Sequence, residues 1–298
     1  MSILVTTPTG NIGRVVVEKL LEAGAEVSVI ARKPEKLAPA VRERVTVHQG
    51  DQEDAAFVAE ATKGAEALFW LTPPNFLHPD WKSMYEHSAQ TAANAVRANR
   101  IPHVVHLSSS GADRATGFGP VSFLQIVENA LAATGASVLQ LRPGYFYENW
   151  LTQLEPMLHQ GATYFPFSPD TTHPQIATKD IGSVAARKLL DRSWSGVSVL
   201  GLHGPADQTS FGEAATILGE VIGRPVQFVQ IPMEAFQQQL SGMGAPPSVV
   251  ESYSELFGAF ARGEPLGEPR TAETTTPTTL REWATETLLP LAKAARQG

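Results

Sequence analysis

The chain has no cysteine among its 298 residues, which excludes disulfides, thiolate nucleophiles and cysteine-ligated metal sites. No stretch approaches the roughly eighteen consecutive apolar residues that a membrane-spanning helix needs. The first residues carry neither the basic segment nor the cleavage-site pattern of a secretory signal. We therefore expect a cytoplasmic protein that makes no membrane contact.

Positive charge is also scarce, because 23 Lys and Arg face 30 Asp and Glu for a net charge of -7. Nucleic-acid binding needs a basic face, so no nucleic-acid partner is expected. The eight histidines are scattered without an HExxH pair, and the sequence lacks a GxSxG elbow. A metal site and a Ser-His-Asp hydrolase are therefore not expected.

Strand and helix signals alternate through the first half of the chain. Apolar runs predict strands at Ile3–Thr6, Glu26–Ala31, Val45–Val47, Ala67–Leu71, Val104–Leu107 and Val138–Leu141. Helical periodicity predicts helices between them at Ile12–Ala23, Glu35–Val41, Asp54–Thr62, Trp81–Asn99 and Val121–Thr134. This alternation predicts an α/β fold, a Rossmann-type doubly wound parallel sheet covered on both faces.

After Pro143, prolines and glycines interrupt the pattern, which is typical of a loop-rich cleft wall. Order returns with a predicted helix at Asp180–Asp191, a strand at Val197–Leu202 and several later helices, the last of them at Thr279–Ala294. We predict an NAD(P)-binding Rossmann domain over 1–155 and a smaller, mainly helical substrate lobe over 156–298. Within that lobe, 176–205 is expected to return to the Rossmann sheet.

The segment from Thr6 to Gly13 joins the first strand to the first helix and has the spacing of a dinucleotide-phosphate cradle. Such a turn needs glycine where backbone approaches pyrophosphate and where helix presses on strand. The predicted contacts are Thr7, Thr9, Gly10, Asn11, Ile12 and Gly13. Thr7 occupies the position of the usual first glycine. A positive φ there is costly for a β-branched residue; with a negative φ, its hydroxyl crowds the pyrophosphate.

Three later strand ends add candidate cofactor contacts. Arg32 and Lys33 follow the second strand, where a cation suits a 2′-phosphate and a carboxylate suits a free hydroxyl. They favour NADP(H) over NAD(H), although a solvated basic pair is the plain alternative. The remaining candidates are Asp51 and Gln52 for the adenine edge, and Leu71, Thr72 and Pro73 along the cofactor. A tight turn explains Asp51 and Gln52 nearly as well.

Aromatic and polar residues beyond the later strands predict a cleft for a flat organic substrate. Its predicted lining consists of Asn75, Phe76, Phe123, Tyr145, Phe146 and Trp150. Tyr145 and Ser109 are the candidate polarising donors, whereas His106, inside an apolar strand, is more typical of a core histidine. The alternative is that these aromatic residues form the seam between the two lobes.

Several segments follow one another in a specific order over nearly the whole chain. They are Thr6-Thr7-Pro8-Thr9-Gly10-Asn11-Ile12-Gly13, Arg32-Lys33-Pro34, Leu71-Thr72-Pro73-Pro74, Arg142-Pro143-Gly144, Thr178-Lys179-Asp180-Ile181-Gly182, Leu202-His203-Gly204-Pro205, Gly223-Arg224-Pro225-Val226 and Thr276-Pro277-Thr278-Thr279-Leu280-Arg281-Glu282-Trp283. This order resembles the NmrA-like family, an atypical branch of the short-chain dehydrogenase/reductases. The resemblance implies relatives among NADPH-dependent quinone reductases, a triphenylmethane dye reductase, ergot-alkaloid reductases and a dinucleotide-binding transcriptional co-regulator.

The sequence departs from that family at the acid–base positions. The resemblance implies that the lysine of the family's reductases should fall near Leu124, and that the tyrosine four residues earlier would be Pro120. A carbonyl reductase needs a proton on the nascent alkoxide, which is worth about a hundredfold or more in rate. Acceptors that delocalise the incoming charge, such as quinones, or that lose a positive charge, such as iminium ions, do not need that pair.

Three functions therefore remain open from the sequence. The first is an NADPH-dependent reductase of an aromatic or conjugated small molecule. The second is a non-catalytic redox sensor that binds the dinucleotide and signals to a protein partner, and the third is a non-redox role in natural-product chemistry. The chain is expected to be a monomer or a homodimer.

Overall fold

The computed structural model describes residues 2–205, 209–264 and 267–296. Its centre is a seven-stranded sheet in which every neighbouring pair of strands is parallel. The strands are β1 (Ser2–Val5), β2 (Glu26–Ala31), β3 (Thr46–Gln49), β4 (Ala67–Leu71), β5 (His103–Leu107), β6 (Ser137–Pro143) and β10 (Val197–Leu202). Two parallel pairs lie outside this sheet: β7 (Tyr145–Phe146) with β9 (Gln175–Ile176), and β8 (Ala162–Phe165) with β11 (Gln227–Gln230).

The order across the large sheet is β3, β2, β1, β4, β5, β6 and β10. The order reverses between β1 and β4, and ligands of such sheets bind outside the carboxyl ends of the strands at that point. The doubly wound parallel sheet predicted from the sequence is therefore confirmed.

Twelve α-helices are described. They are α1 (Asn11–Glu22), α2 (Pro39–Arg42), α3 (Ala55–Ala61), α4 (Trp81–Asn99), α5 (Pro120–Ala132), α6 (Leu154–Gln160), α7 (Thr178–Leu190), α8 (Phe211–Ile222), α9 (Met233–Gly242), α10 (Pro247–Ala261), α11 (Leu280–Trp283) and α12 (Leu289–Ala295). None of them is long and apolar enough to cross a membrane.

Both faces of the sheet are covered, as the apolar strands require. Successive side chains of a strand point to opposite faces, so Ile3 and Val5 pack with α1 and α7 while Leu4 packs with α3, α4 and α5. A separate core, rich in phenylalanine and tryptophan, joins α6, α8, α10 and the C-terminal helices. β10, although late in the chain, pairs with β6 in the large sheet.

Of the two predicted helices that contain an irregular segment, one was wrong. The helix predicted at Glu35–Val41 is a 3-10 turn, Pro34–Lys36, followed by the single-turn α2, because Pro39 cannot continue a helix from the preceding turn. The helix predicted at Thr279–Ala294 is observed, as a continuous helical run of α11, a π segment at Ala284–Leu288 and α12. Pro290 follows that segment, and proline removes one helical hydrogen bond and clashes with the preceding turn.

The stretch after Pro143, predicted to have little regular structure, contains β7, β8, β9 and α6 joined by a 3-10 segment at Tyr147–Gln153. These elements are too short to show a periodic pattern in the sequence. Their strands pair with partners distant in the chain, so their pairing depends on tertiary contacts.

Candidate functional site

Thr6 links β1 to β4 at the point where the strand order reverses, which we call the switch point. Its Oγ1 donates to the Phe69 carbonyl at 3.0 Å and accepts from the Leu71 amide at 3.1 Å. These bonds hold the carboxyl ends of β1 and β4 side by side. The turn that follows Thr6 therefore begins from a rigid edge.

Thr7 adopts the left-handed conformation, with φ of 51°. This region disfavours β-branched residues and explains why glycine suits the position. The carbonyl of Thr7 accepts from the Gly10 amide at 3.1 Å, and its Oγ1 is buried without a partner in the described part of the chain. Of the two alternatives for Thr7, the positive φ is the one observed.

The two glycines of the turn differ in their steric surroundings. A Cβ on Gly13 would lie 2.1 Å from the Thr7 carbonyl oxygen, so α1 and the turn approach too closely for any side chain. A Cβ on Gly10 would lie 3.5 Å from the same oxygen, an ordinary contact. The fold itself therefore requires Gly13, whereas the free protein tolerates a larger residue at position 10.

The N-terminus of α1 is available to an anion. Gly10 is its N-cap, no side chain caps the helix, and its first turn contains no acidic residue. The free N–H groups and the helix dipole of such a terminus bind phosphate. Thr9, Asn11 and Ile12 belong to this turn and the first helical residues, so the arrangement fits the predicted pyrophosphate cradle.

The predicted residues at the ends of β2 and β3 come together. Nη1 of Arg32 lies 3.9 Å from Oδ2 of Asp51, and both side chains are exposed. Gln52 donates from Nε2 to the Leu71 carbonyl at 2.8 Å. Gln52 therefore joins the end of β3 to that of β4, and Lys33 is exposed beside the Arg32 pair.

The loop between β4 and α4 uses most of its predicted site residues for its own structure. The buried Thr72 hydroxyl lies 2.7 Å from that of Ser88. Asn75 accepts from the Leu77 amide through its side chain and from Trp81 Nε1 through its carbonyl. Pro73 and Phe76 are exposed, so they are the loop residues best placed to meet a ligand.

Ser109 lies at the carboxyl end of β5, between two buried serines, and is half-buried. His106 is fully buried in β5, where its Nδ1 lies 2.6 Å from Gln140 Oε1. Burial lowers the pKa of His106 to about 4, so its ring is neutral and belongs to the core. Of these residues Ser109 is therefore the one whose polar side chain is partly exposed at the carboxyl end of β5, where the crevice of such sheets lies.

Arg142, at the end of β6, holds three parts of the chain together. Its Nε and Nη2 bind both carboxylate oxygens of Glu128 at 2.9 and 2.6 Å, and its Nη1 binds Glu268 at 2.7 Å. Mainly through its hydrogen bonds to Glu128, this pairing raises the pKa of Arg142. The Arg142 guanidinium therefore has a structural role, since it pairs with two carboxylates of the protein itself.

The predicted aromatic residues divide into two groups. Tyr145 and Phe146 of β7 are half-buried, as is Phe123 on α5. Trp150 is fully buried, donates from Nε1 to Gln175 Oε1 at 2.9 Å, and supports the Tyr145 ring at 6.3 Å. Trp150 is therefore enclosed by the aromatic core in this structure, and its predicted contact with a substrate stays a prediction.

Two tyrosines that the sequence reasoning missed lie beside these residues. Tyr253 of α10 stacks on Phe76, with ring centroids 6.0 Å apart and planes 8° apart. The ring of Tyr85 on α4 lies 5.8 Å from that of Phe123. Tyr85 follows Trp81 by one helical turn, which was the available sequence signal, whereas nothing local to Tyr253 marks it.

Pro120 and Leu124, where the resemblance led us to expect the family's acid–base pair, have structural positions. Pro120 is the first residue of α5, and Leu124, one turn later, packs against the core below the sheet. Within the described ranges, no three side chains of His, Asp or Glu are grouped as metal ligands. A groove of about 830 Å³ lies elsewhere, between α9 and α10, and none of the predicted site residues lines it.

The family model that matches the chain is that of the NmrA-like family, over residues 1–284. An NAD(P)H azoreductase of Xenophilus azovorans is 28% identical over 258 residues, or 86% of each chain. The fold also matches triphenylmethane reductase of Citrobacter sp., with a TM-score of 0.80 and 21% identity over 97% of this chain and all of that one. It matches the NADPH-dependent quinone oxidoreductase of Escherichia coli complexed with NADPH, with a TM-score of 0.74 and 23% identity over 96% and 99% of the two chains. The chain belongs to the NmrA-like family.

Proposed function

We propose that this chain is an NADPH-dependent reductase that transfers hydride to a flat, conjugated small molecule such as a quinone or an iminium compound. One observation carries the proposal. The uncapped N-terminus of α1 faces the switch point of the sheet, and Arg32 lies at the end of the neighbouring β2.

The residues present fit the cofactor. The backbone of Gly10, Asn11 and Ile12 would hold the pyrophosphate, because an uncapped helix start favours an anion. Arg32 would pair with the 2′-phosphate. To do so it would give up its contact with Asp51, which is weak because the two groups are 3.9 Å apart. Bound NADPH supplies the hydride, and the Leu71–Pro73 segment would border it.

The acceptor class follows from the missing acid–base pair. Pro120 has no ionisable group and Leu124 is apolar, so neither can supply a proton to an alkoxide. Burial raises the pKa of Tyr145, and Tyr253 adds to that effect, which keeps the phenol neutral and able to donate a hydrogen bond. Tyr145 and Ser109 can polarise an acceptor, and solvent can deliver the final proton.

The names of the relatives support this assignment. They include an azoreductase, a quinone oxidoreductase and a triphenylmethane reductase. All three substrate types named there are conjugated and planar or nearly so.

The substitutions at the acid–base positions favour a second candidate, a redox sensor that binds the dinucleotide without turning it over. A sensor needs the phosphate cradle but no proton donor. This chain has the glycines of such a cradle, Gly10 and Gly13, and no ionisable group at Pro120 or Leu124. Such a protein would pass its bound state to a protein partner.

Cofactor binding and turnover, measured separately, test these alternatives. NADPH should raise the thermal midpoint more than NADH, because a ligand of the native state stabilises it. Wild-type protein should then oxidise NADPH with a panel of quinones and cationic dyes. Binding without oxidation would favour the sensor, and no binding of either cofactor would refute both functions.

Arg32→Ala tests the cofactor preference. We expect the Kd for NADPH to rise about tenfold, because one charge-assisted hydrogen bond is lost, and the Kd for NADH to stay unchanged. Arg14→Ala, which removes another exposed arginine near the start of α1, is the matched control. Equal weakening of both cofactors in Arg32→Ala would show that Arg32 does not bind the 2′-phosphate.

A further inference from the structure

We propose that Asp51 competes with the 2′-phosphate of NADPH for Arg32, and so limits the preference of this chain for NADPH over NADH. This role differs from a contact with the adenine edge, since it acts on one cofactor and not on the other. The proposal rests on the proposed function, because it requires a dinucleotide whose 2′-phosphate binds at the end of β2.

Strand pairing brings the two residues together. β2 and β3 are parallel, with Ala31 opposite Gln49, and the Gly50 amide donates to the Ala31 carbonyl at 3.3 Å. Arg32 follows Ala31 directly and Asp51 follows Gly50 directly, so both lie at the carboxyl edge of the sheet. Nη1 of Arg32 and Oδ2 of Asp51 are 3.9 Å apart.

The turn after β3 fixes the Asp51 carboxylate. Its Oδ1 accepts from the Glu53 amide at 3.0 Å, and the Asp51 carbonyl accepts from the Asp54 amide at 3.1 Å. A side-chain oxygen bonded to the backbone two residues on is the geometry of an Asx turn, which restrains the side chain. The other carboxylate oxygen, Oδ2, therefore remains for Arg32.

Neighbouring elements hold this turn in place. A Cβ on Gly50 would lie 2.5 Å from the ring of Phe57 on α3, so the chain at the end of β3 lies directly on that ring. On the other side, Gln52 donates to the Leu71 carbonyl of β4 at 2.8 Å. Asp51 lies between these two anchored residues, so its carboxylate stays beside Arg32.

Arg32 is the freer partner of the pair. Its side chain is 72% exposed, against 45% for that of Asp51. Arginine usually binds a phosphate with two parallel N–H donors. The Arg32 guanidinium must therefore turn from Asp51 to the phosphate when NADPH binds, and its contact with Asp51 is lost in that step.

This competition affects one cofactor. NADPH must displace Asp51 from Arg32, whereas NADH has a free hydroxyl at the same position and needs no cation there. An exposed ion pair contributes little to stability, and for this one we expect about a threefold effect on a binding constant. Asp51 therefore lowers the affinity for NADPH by about that factor.

Asp51→Asn tests the proposal, because asparagine keeps the Oδ1 acceptor for the Glu53 amide and removes the charge beside Arg32. We expect the ratio of the Kd for NADH to the Kd for NADPH, measured by calorimetry, to rise about threefold. A contact with the adenine edge is common to both cofactors and cancels in that ratio. An unchanged or lower ratio would overturn the proposal.

The double variant shows whether Asp51 acts through Arg32. In Arg32→Ala no guanidinium remains to compete for, so adding Asp51→Asn to it should change the ratio by less than about 1.5-fold. The full rise in that background would mean that Asp51 repels the phosphate directly. That outcome would also overturn the proposal.

Glu53→Gln is the matched control, because it removes the same charge from an exposed side chain of the same turn. It should leave the ratio of the two Kd values unchanged. A rise equal to that of Asp51→Asn would be an effect of net charge alone and would count against the specific role of Asp51. The thermal midpoint of each variant shows whether the fold is intact.

Binding and turnover together separate this proposal from the reductase function. The expected Kd ratios in a protein that oxidises no NADPH with any acceptor would support the role of Asp51 and refute the reductase. Unchanged ratios in a protein that does oxidise NADPH would refute the role of Asp51 alone. No binding of NADPH by the wild type would refute both.

Discussion

The two ends of the crevice are built in different ways. At the proposed phosphate end, the eight contiguous residues from Thr6 to Gly13 would form the site, and its ligating groups would be backbone amides at the start of α1. At the proposed acceptor end, aromatic side chains from distant elements meet: Phe76 of the loop after β4 stacks on Tyr253 of α10, and Tyr85 of α4 contacts Phe123 of α5. A backbone site depends on local conformation, whereas a side-chain site depends on how distant elements pack.

One buried histidine lies in the large sheet and another packs on the aromatic core, so acid should destabilise both parts of the molecule. His106 is buried in the large sheet and His173 is buried against Phe260, each with its pKa lowered to about 4, chiefly by burial. The unfolded pKa is about 6.5. The stabilisation is fully present above that value and is lost as pH falls from about 6.5 to 4, by about 3 kcal/mol per histidine.

Urea unfolding at pH 7 and pH 5 measures this effect. We expect His106→Gln and His173→Gln each to remove about 2 kcal/mol of the fall in unfolding free energy between these pH values. A single unfolding transition that contains the contributions of both histidines would show that the large sheet and the aromatic core unfold as one unit. Separate transitions would show that they unfold independently. A wild-type unfolding free energy unchanged between pH 7 and 5 would contradict the prediction.

Gly13→Ala should damage the phosphate end through the fold. The added Cβ would lie 2.1 Å from the Thr7 carbonyl, and overpacking of this kind costs about 1–3 kcal/mol. Both the thermal midpoint and the affinity for NADPH should fall. Native stability in this variant would show that α1 can shift away from the turn.

Gly10→Ala should separate binding from folding at the same turn. Its Cβ has an ordinary contact at 3.5 Å, and φ at this N-cap is -80°, so the unfolding free energy should change by less than about 0.5 kcal/mol. The Kd values for NADPH and NADH should both rise about tenfold, because the methyl group would occupy the approach to the pyrophosphate. Unchanged affinity would place the phosphates elsewhere.

Thr7→Gly should produce the smallest effect, a gain in unfolding free energy of about 0.5 kcal/mol. The left-handed conformation costs a non-glycine residue about 1–2 kcal/mol, and the greater entropy of unfolded glycine offsets part of the gain. Arg100→Gly is the matched control, because Arg100 has the same φ of 51° at the end of α4. Destabilisation by Thr7→Gly alone would indicate that the buried threonine side chain makes a compensating contribution.

Local patterns predicted the large sheet because each of its strands is an apolar run between helical segments. The pairs β7 with β9 and β8 with β11 escaped prediction, since two- to four-residue strands carry no periodic signal. The same division applies to the site. Gly10 and Gly13 could be identified from spacing, whereas Trp150 was assigned to the substrate cleft and lies in the core.

The sequence by itself determined the parallel sheet, the phosphate turn and the absence of ionisable groups at positions 120 and 124, because each is a property of adjacent residues. Only the tertiary structure decided that Thr7 has a positive φ, that Gly13 is sterically required and Gly10 is not, and that Tyr253 stacks on Phe76. These features arise where chain segments distant in sequence, or turned sharply back, come within contact distance. Their geometry follows from packing, which no local pattern contains.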